Sequence, residues 1–355
     1  MKQYTASVVG GGAGGRLSIN ALQASDRYQP LAVADISPAA REALARDYPG
    51  LAVFDSHEAM FRKCPTDIVC VSTWAPSHRE IAEAALELPL KGILVEKPLA
   101  QTTADGAAIL SAIRSRGLPM AVPHGLLVAT HAREIVARVR SGEIGELVLI
   151  EIQCNGWDII NAGIHWLNYA HVLNGAVAAQ SVMAAGDSSS RTYRDGMQVE
   201  TVAVTYVQAS NGVRFVMNTG DYVTTTRKGK DTVFHIVGAK GMIEFWAWES
   251  AYLLLNEQHP GGKKVDVRPA GKGHRDHLEA MARQMDEGST DYAIPESSLA
   301  ALEMCEAAYL SCKHQCQVEL PLARFTPPAA NNWEPGKPYS GRGGGRDGRN
   351  LPKLR

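Results

Sequence analysis

No charge of one sign dominates this chain. Lys and Arg number 36 against 37 Asp and Glu, a formal net charge of −1. That balance excludes the broad basic surface that nucleic acid or an anionic membrane would require. Long apolar runs are missing too, since none reaches the roughly 18 residues of a spanning helix. Cysteine is scarce, 6 in 355 residues, and no two form a C-x-x-C pair. Cys305, Cys312 and Cys316 recur at helical spacing near His314. That pattern suits small buried side chains better than metal ligands, so no metal is expected. The first apolar strand begins so close to Met1 that a signal peptide has no room, and a cytoplasmic location is expected. What remains is a chain long enough for two domains and a sizeable core.

Glycine, by contrast, is placed with purpose. Gly10, Gly12 and Gly15 spell G-x-G-x-x-G between an apolar strand and a helical pattern. About 20 residues later Leu31-Ala32-Val33-Ala34 ends in Asp35. A dinucleotide needs this arrangement: one glycine for the tight turn, one for close approach of the pyrophosphate, one for helix–strand packing. Free N–H groups from Ala13 onward, with Gly14 among them, would face the phosphates. Asp35 would accept from the adenosine ribose hydroxyls and repel a 2′-phosphate, which favours NAD over NADP.

Strand and helix alternate through the first third. Strands are predicted over 7–10, 31–35, 52–54, 67–73, 92–96 and 120–123, and helices over 17–24, 38–48, 56–63, 77–88 and 103–116. The strands are continuous apolar runs, which suits a parallel sheet covered on both faces. After Gly125 the pattern changes. Helices are predicted over 130–141, 164–173, 274–287 and 296–314, and long alternating strands over 146–153, 198–208, 213–220, 232–237, 242–246 and 251–256. The expected fold is α/β: a Rossmann dinucleotide-binding domain over 1–124 and an α/β substrate and oligomerisation domain over 125–325 with a large, mostly antiparallel open sheet. A Pro/Gly/Arg-rich tail over 326–355, with Trp333 and Tyr339, completes the chain as a disordered tail or an arm.

Three stretches are more specific. Val95-Glu96-Lys97-Pro98-Leu99 ends the fifth strand, Thr73-Trp74-Ala75-Pro76-Ser77-His78 follows the fourth, and Asn161-Ala162-Gly163-Ile164-His165-Trp166-Leu167-Asn168 opens a helix in the second half. Together with the glycine motif they resemble the Gfo/Idh/MocA oxidoreductases over residues 5 to 322. The resemblance implies reversible oxidation of a secondary hydroxyl on a sugar, glycoside or cyclic polyol, with homo-oligomers built on the open sheet. It implies Lys97 beside the nicotinamide and the reacting oxygen, a cis Pro98, His165 as general base, and Thr73, Trp74, His78, Glu96 and Lys97 around the cofactor.

The chemistry agrees. An ammonium stabilises developing alkoxide charge, and an imidazole of near-neutral pKa can take the hydroxyl proton. Many relatives carry an aspartate where this chain has Asn161, and often another at Asn168. Two amides make the site less negative and put the usual Lys–Asp–His relay in doubt, so Asn161 is expected to position a substrate hydroxyl. Asp158 is one turn earlier, and His171 is expected to pack. Trp157 and Trp166 flank the segment as candidate sugar platforms, while Trp246 and Trp248 end a strand. Arg227, Lys228 and Lys230 suit a solvated loop better than an acidic substrate. Two other activities remain open: a glycosidase that retains NAD and cleaves by transient oxidation and elimination, and a regulator that binds the dinucleotide without chemistry.

Overall fold

The computed structural model describes residues 2–189, 193–268 and 273–327. The tail expected over 326–355 lies outside the described residues from 328 on. Six parallel strands form the first sheet: β1 (Tyr4–Val9), β2 (Tyr28–Ala34), β3 (Ala52–Phe54), β4 (Ile68–Val71), β5 (Gly92–Val95) and β6 (Met120–Ala121). Their order is β3-β2-β1-β4-β5-β6, so the strand order reverses between β1 and β4. The carboxyl ends of those two strands flank the crevice where such a sheet takes its ligand. Ile68–Val71 and Gly92–Val95 are buried at every position, as strands covered on both faces must be.

Helices α1 (Ala13–Gln23), α2 (Pro38–Asp47), α3 (His57–Lys63), α4 (His78–Leu86) and α5 (Thr103–Ser115) cross between these strands. Ser37, Ser56 and Thr102 start three of them by accepting from the main-chain N–H three residues on. Such caps satisfy donors that have no partner inside the helix.

The second sheet has nine strands: β7 (Leu147–Asn155), β8 (Ala179–Asp187), β9 (Val202–Ala209), β10 (Arg214–Gly220), β11 (Thr232–Gly238), β12 (Gly241–Trp246), β13 (Ala251–Asn256), β14 (His259–Asp266) and β15 (Val318–Glu319). Only the β7–β10 pair is parallel. Three of its strands, β8, β14 and the two-residue β15, differ from the sequence expectation. β8 reads AQSVMAAGD, too small and polar to signal a strand, and β14 contains Pro260, Gly261, Gly262 and two lysines. β14 is an edge strand, where proline and lysine are tolerated and discourage further pairing.

Helices α6 (Gly125–Val128), α7 (Thr130–Arg140) and α8 (Ile164–Leu173) follow the first sheet, and α9 (His274–Glu287) and α10 (Ala293–His314) follow the second. α9 returns to the first sheet. Leu278, Met281 and Ala282 enter the core of β1 and β2, Tyr28 donates to Leu278 O at 2.6 Å, and Tyr4 donates to Asp286 at 2.7 Å. This return brings the start of α9 to the carboxyl end of the first sheet. Both sheets belong to one compact unit that ends at Phe325.

Candidate active site

The glycine turn comes first along the chain. Gly10 has φ +97°, and its N–H donates to Ala34 O at 2.8 Å. A Cβ there would stand 2.4 Å from Ser72 O, and one on Gly15 would stand 1.8 Å from Gly10 O. Side chains at both positions are thus excluded by conformation and by contact. A Cβ on Gly12 would meet nothing within 4 Å, and no side chain caps α1. The turn therefore offers uncapped main-chain donors beside open space, which fits a pyrophosphate. Asp35 fixes the same turn by accepting from Gly11 N at 2.7 Å and from Ser37 N at 2.8 Å.

At the end of β5 the chain turns through Glu96, Lys97 and a cis peptide to Pro98. Glu96 is 5 % exposed, accepts from Lys97 N at 3.2 Å, and pairs with the His274 ring. Burial raises its pKa, but the His274 hydrogen bond and the charges of His274 and Lys97 outweigh burial, so the net direction is down. Its carboxylate also sits against Gly14, where a Cβ would lie 3.2 Å from Oε1.

The Lys97 side chain crosses toward the second half and donates to the main-chain O of Asn161 at 3.0 Å. That carbonyl belongs to a π-helical turn, Ile159–Gly163, which runs directly into α8. Such wide turns recur at functional sites. Asp158 caps it, accepting from Asn161 N at 2.8 Å and Asn161 Nδ2 at 2.9 Å, while its other oxygen takes Arg194 at 3.0 Å. Buried Glu200 holds the same turn from below through Ile159 N at 2.7 Å and Tyr309 OH at 2.8 Å. Burial raises the Glu200 pKa.

His165 follows on α8, half-buried. Its Nδ1 lies 3.1 Å from Nδ1 of His124, and His124 Nε2 lies 2.8 Å from Ser298 Oγ on α10. Burial first, then the Lys97 and His124 charges, pushes the His165 pKa well below its ordinary value. The same two kinds of cause bring His124 down to about 3 and His277 down to about 4. His277 also lies 3.2 Å from His124 O. The arrangement is one ammonium beside three imidazoles, His124, His165 and His277, whose pKa values burial lowers.

Several expected site residues do other work. His78, expected at the cofactor, is wholly buried. Its ring nitrogens face Thr73 O at 3.0 Å and Leu99 O at 3.3 Å, so it ties the β4 loop to the Pro98 turn rather than touching a ligand. Thr73 receives Ser77 Oγ on its hydroxyl at 2.8 Å. Trp74 is exposed and packs against Gly196. Trp157 is exposed, with the Arg194 guanidinium 4.6 Å above its ring. Trp166, expected as a sugar platform, is 3 % exposed, donates to Cys154 Sγ at 3.3 Å, and meets Phe234 at 5.8 Å. Its face is core, so it offers no stacking surface. Asn168 is wholly buried and accepts from Ser297 at 3.3 Å. Arg227 and Lys230 both pair with Glu249, which accounts for their charge. Among the described residues, no group of three His, Cys, Asp or Glu is placed to hold a metal ion, and no helix is long and apolar enough to cross a membrane.

Sequence reasoning did not single out His124, His274, His277 or Ser298. His124 had a signal, because it follows β6 at the ligand-binding end of a parallel sheet. The other three are on helices that return from far along the chain, and nothing local marks them. Trp248 is half exposed at φ +68°, its ring 5.8 Å from Trp166 and in contact with the Gly125 position next to His124.

Comparison with known proteins agrees with this geometry. Residues 5–124 match the model of an oxidoreductase family with an NAD-binding Rossmann fold, and residues 137–320 match that family's C-terminal α/β domain. D-Apiose dehydrogenase of Paraburkholderia graminis is 23% identical over 371 residues, 95% of each chain. A dTDP-3,4-didehydro-2,6-dideoxy-α-D-glucose 3-reductase of Streptomyces violaceoruber is 31% identical over 134 residues, 37% of this chain and 38% of that one. Levoglucosan dehydrogenase, solved with NADH and levoglucosan, superposes with a TM-score of 0.74 at 18% identity, covering 90% of this chain and 100% of that one. An Agrobacterium radiobacter oxidoreductase solved with NAD+, L-tartaric acid and magnesium gives 0.74 at 18% identity, covering 90% and 98%. The chain belongs to the Gfo/Idh/MocA family of NAD(P)-dependent oxidoreductases.

Proposed function

We propose that this oxidoreductase reversibly oxidises a secondary hydroxyl of a sugar, glycoside or cyclic polyol, using NAD. The observation that carries the reading is the Lys97 ammonium, tied at 3.0 Å to the carbonyl of the segment that leads to His165. Residues Gly10 to Gly15 would hold the pyrophosphate and Asp35 the ribose, and bound NAD supplies the hydride acceptor. Lys97 would hold the substrate oxygen and stabilise negative charge on it. His165, kept neutral by burial beside a cation, would accept the hydroxyl proton. The Asn161 amide nitrogen is engaged by Asp158, which leaves its amide oxygen to meet a substrate hydroxyl. Trp157 and Trp248 present exposed aromatic surface for a sugar C–H face. Relatives named for apiose and levoglucosan support a carbohydrate.

Residues 1–124 would then serve the cofactor and 125–325 the substrate, a division supported by the limits of the two family matches. A second copy of the chain would cover the outer sheet face, where Met183, Tyr206 and Val216 line up across β8, β9 and β10 beside exposed Val204. All six thiols are unpaired, which suits a reducing cytoplasm.

The test is an NAD+ reduction screen over inositols, hexoses, uronates and glycosides, with Lys97→Ala as control. NADH formation that depends on Lys97 supports the reading. Glycoside cleavage without net NADH would transfer it to the elimination mechanism, and NAD binding with no turnover across the panel would overturn it.

A further inference from the structure

Neither amide of this segment, Asn161 or Asn168, orients the base. The Asn161 side chain bonds Asp158, and Asn168 bonds Ser297. The group in contact with His165 is another histidine. The two Nδ1 atoms are 3.1 Å apart, with ring planes at 81°, and His124 Nε2 reaches Ser298 Oγ at 2.8 Å. A short N···N contact between imidazoles contains one proton, so one ring donates and the other accepts.

Two neutral tautomer pairs satisfy this chain of contacts. In the first, His165 Nδ1–H donates to His124 Nδ1, and His124 Nε2–H donates to the Ser298 hydroxyl oxygen. His165 then has its lone pair on Nε2. In the second, His124 Nδ1–H donates to His165 Nδ1, and the Ser298 hydroxyl donates to His124 Nε2. His165 then holds its proton on Nε2 and has no lone pair left for a substrate proton. Only the first state is a base toward substrate.

We propose that His124, backed by Ser298, is a positioning residue that fixes His165 with its proton on Nδ1 and its lone pair on Nε2. This rests on the reading of His165 as the general base. When His165 Nε2 takes the hydroxyl proton, the imidazolium keeps its Nδ1–H bond to His124, which must remain an acceptor. The charged and titratable groups around this ring are Lys97, His124, His274 and His277. A protonated His124 would donate from Nδ1 and could no longer accept; its burial disfavours that form. The arrangement does the orienting that a carboxylate does in a Ser-His-Asp triad, but with a neutral acceptor.

The test has a spectroscopic and a kinetic arm. In full-length protein labelled with 15N-histidine, His165 should show a protonated Nδ1 and a bare Nε2. Finding the proton on Nε2 in the wild type would overturn the proposal, whatever the variants do. His124→Leu removes the acceptor and should lower kcat about 100-fold, the low end of a general-base contribution, with KM changed less than about threefold. His124→Asn, whose amide oxygen can stand near Nδ1 and accept, should recover at least about tenfold of that loss. Wild-type kcat in His124→Leu, or equal losses in both variants, would overturn it. His165→Asn separates the two ideas: if it retained turnover, the base reading would fall and this inference with it. An inactive His165→Asn beside a fully active His124→Leu would sink this inference alone.

Discussion

Lys97 and Asn161 are joined through a main-chain atom: the ammonium donates to the Asn161 carbonyl oxygen at 3.0 Å, while the Asn161 side-chain amide nitrogen donates to Asp158. A side-chain substitution at Asn161 therefore leaves the lysine's partner in place. Lys97→Ala should lower kcat by about 100- to 1000-fold, the range seen when one donor to a developing oxyanion is removed. NADH affinity should stay within about twofold, since the phosphate turn is built from other residues. Steady-state rates and an NADH fluorescence titration measure the two separately.

Placing a carboxylate at Asn161 should harm this protein. The Asn161 amide donates to Asp158 Oδ1 at 2.9 Å, and both residues are buried. Asn161→Asp places two carboxyl groups on one another and should cost on the order of 2–3 kcal/mol. The new group's pKa is raised in the folded state, so the loss grows as pH rises. Denaturant melts at pH 5 and pH 8 should show a deficit relative to wild type that widens at pH 8. Asn161→Ala should instead raise KM, with kcat changed less than in Lys97→Ala.

If Asp35 holds the adenosine ribose, a rate ratio reads its effect on cofactor preference. Its carboxylate accepts two main-chain N–H groups, and on the proposed reading its charge would repel a 2′-phosphate. Asp35→Ser removes the negative charge, so NADP should gain and NAD should lose. The ratio of kcat/KM values should shift toward NADP by at least about tenfold. An unchanged ratio would place the ribose elsewhere.

The glycine turn, Asp35, Lys97 and the parallel sheet were legible because each has a local cause. Gly10 needs a positive φ, β4 and β5 are unbroken apolar runs, and Lys97 is fixed by the strand before it. Trp166 and His78 misled because an aromatic or imidazole in a motif carries no sign of which way it faces. Both are buried, with their polar atoms turned to Cys154 and to main-chain carbonyls. The histidine cluster was illegible for another reason. His124, His165, His274 and His277 come from two helices and the end of the first sheet, and only tertiary packing assembles them.

That cluster gives the protein an acid-sensitive stability. In the unfolded chain a histidine titrates near 6.5, whereas His124 and His277 are brought down to about 3 and about 4 in the fold, chiefly by burial. Below pH 6.5 the unfolded state takes up protons that the folded state refuses, so stability falls as pH falls. Each group contributes a slope of about 1.4 kcal/mol per pH unit until its folded pKa is reached. From pH 6.5 to 5 the two together should remove about 3 kcal/mol, since an unfolded histidine is already half protonated at pH 6.5, measured by urea unfolding. Carboxylates of the unfolded chain take up few protons above pH 5 and so contribute little of this drop. His277→Gln lowers stability at pH 7 by loosening α9, but it deletes one titrating group. Its unfolding free energy should therefore fall by about 1.5 kcal/mol less over the same interval. A variant slope as steep as the wild type's would assign the acid sensitivity to groups outside the cluster.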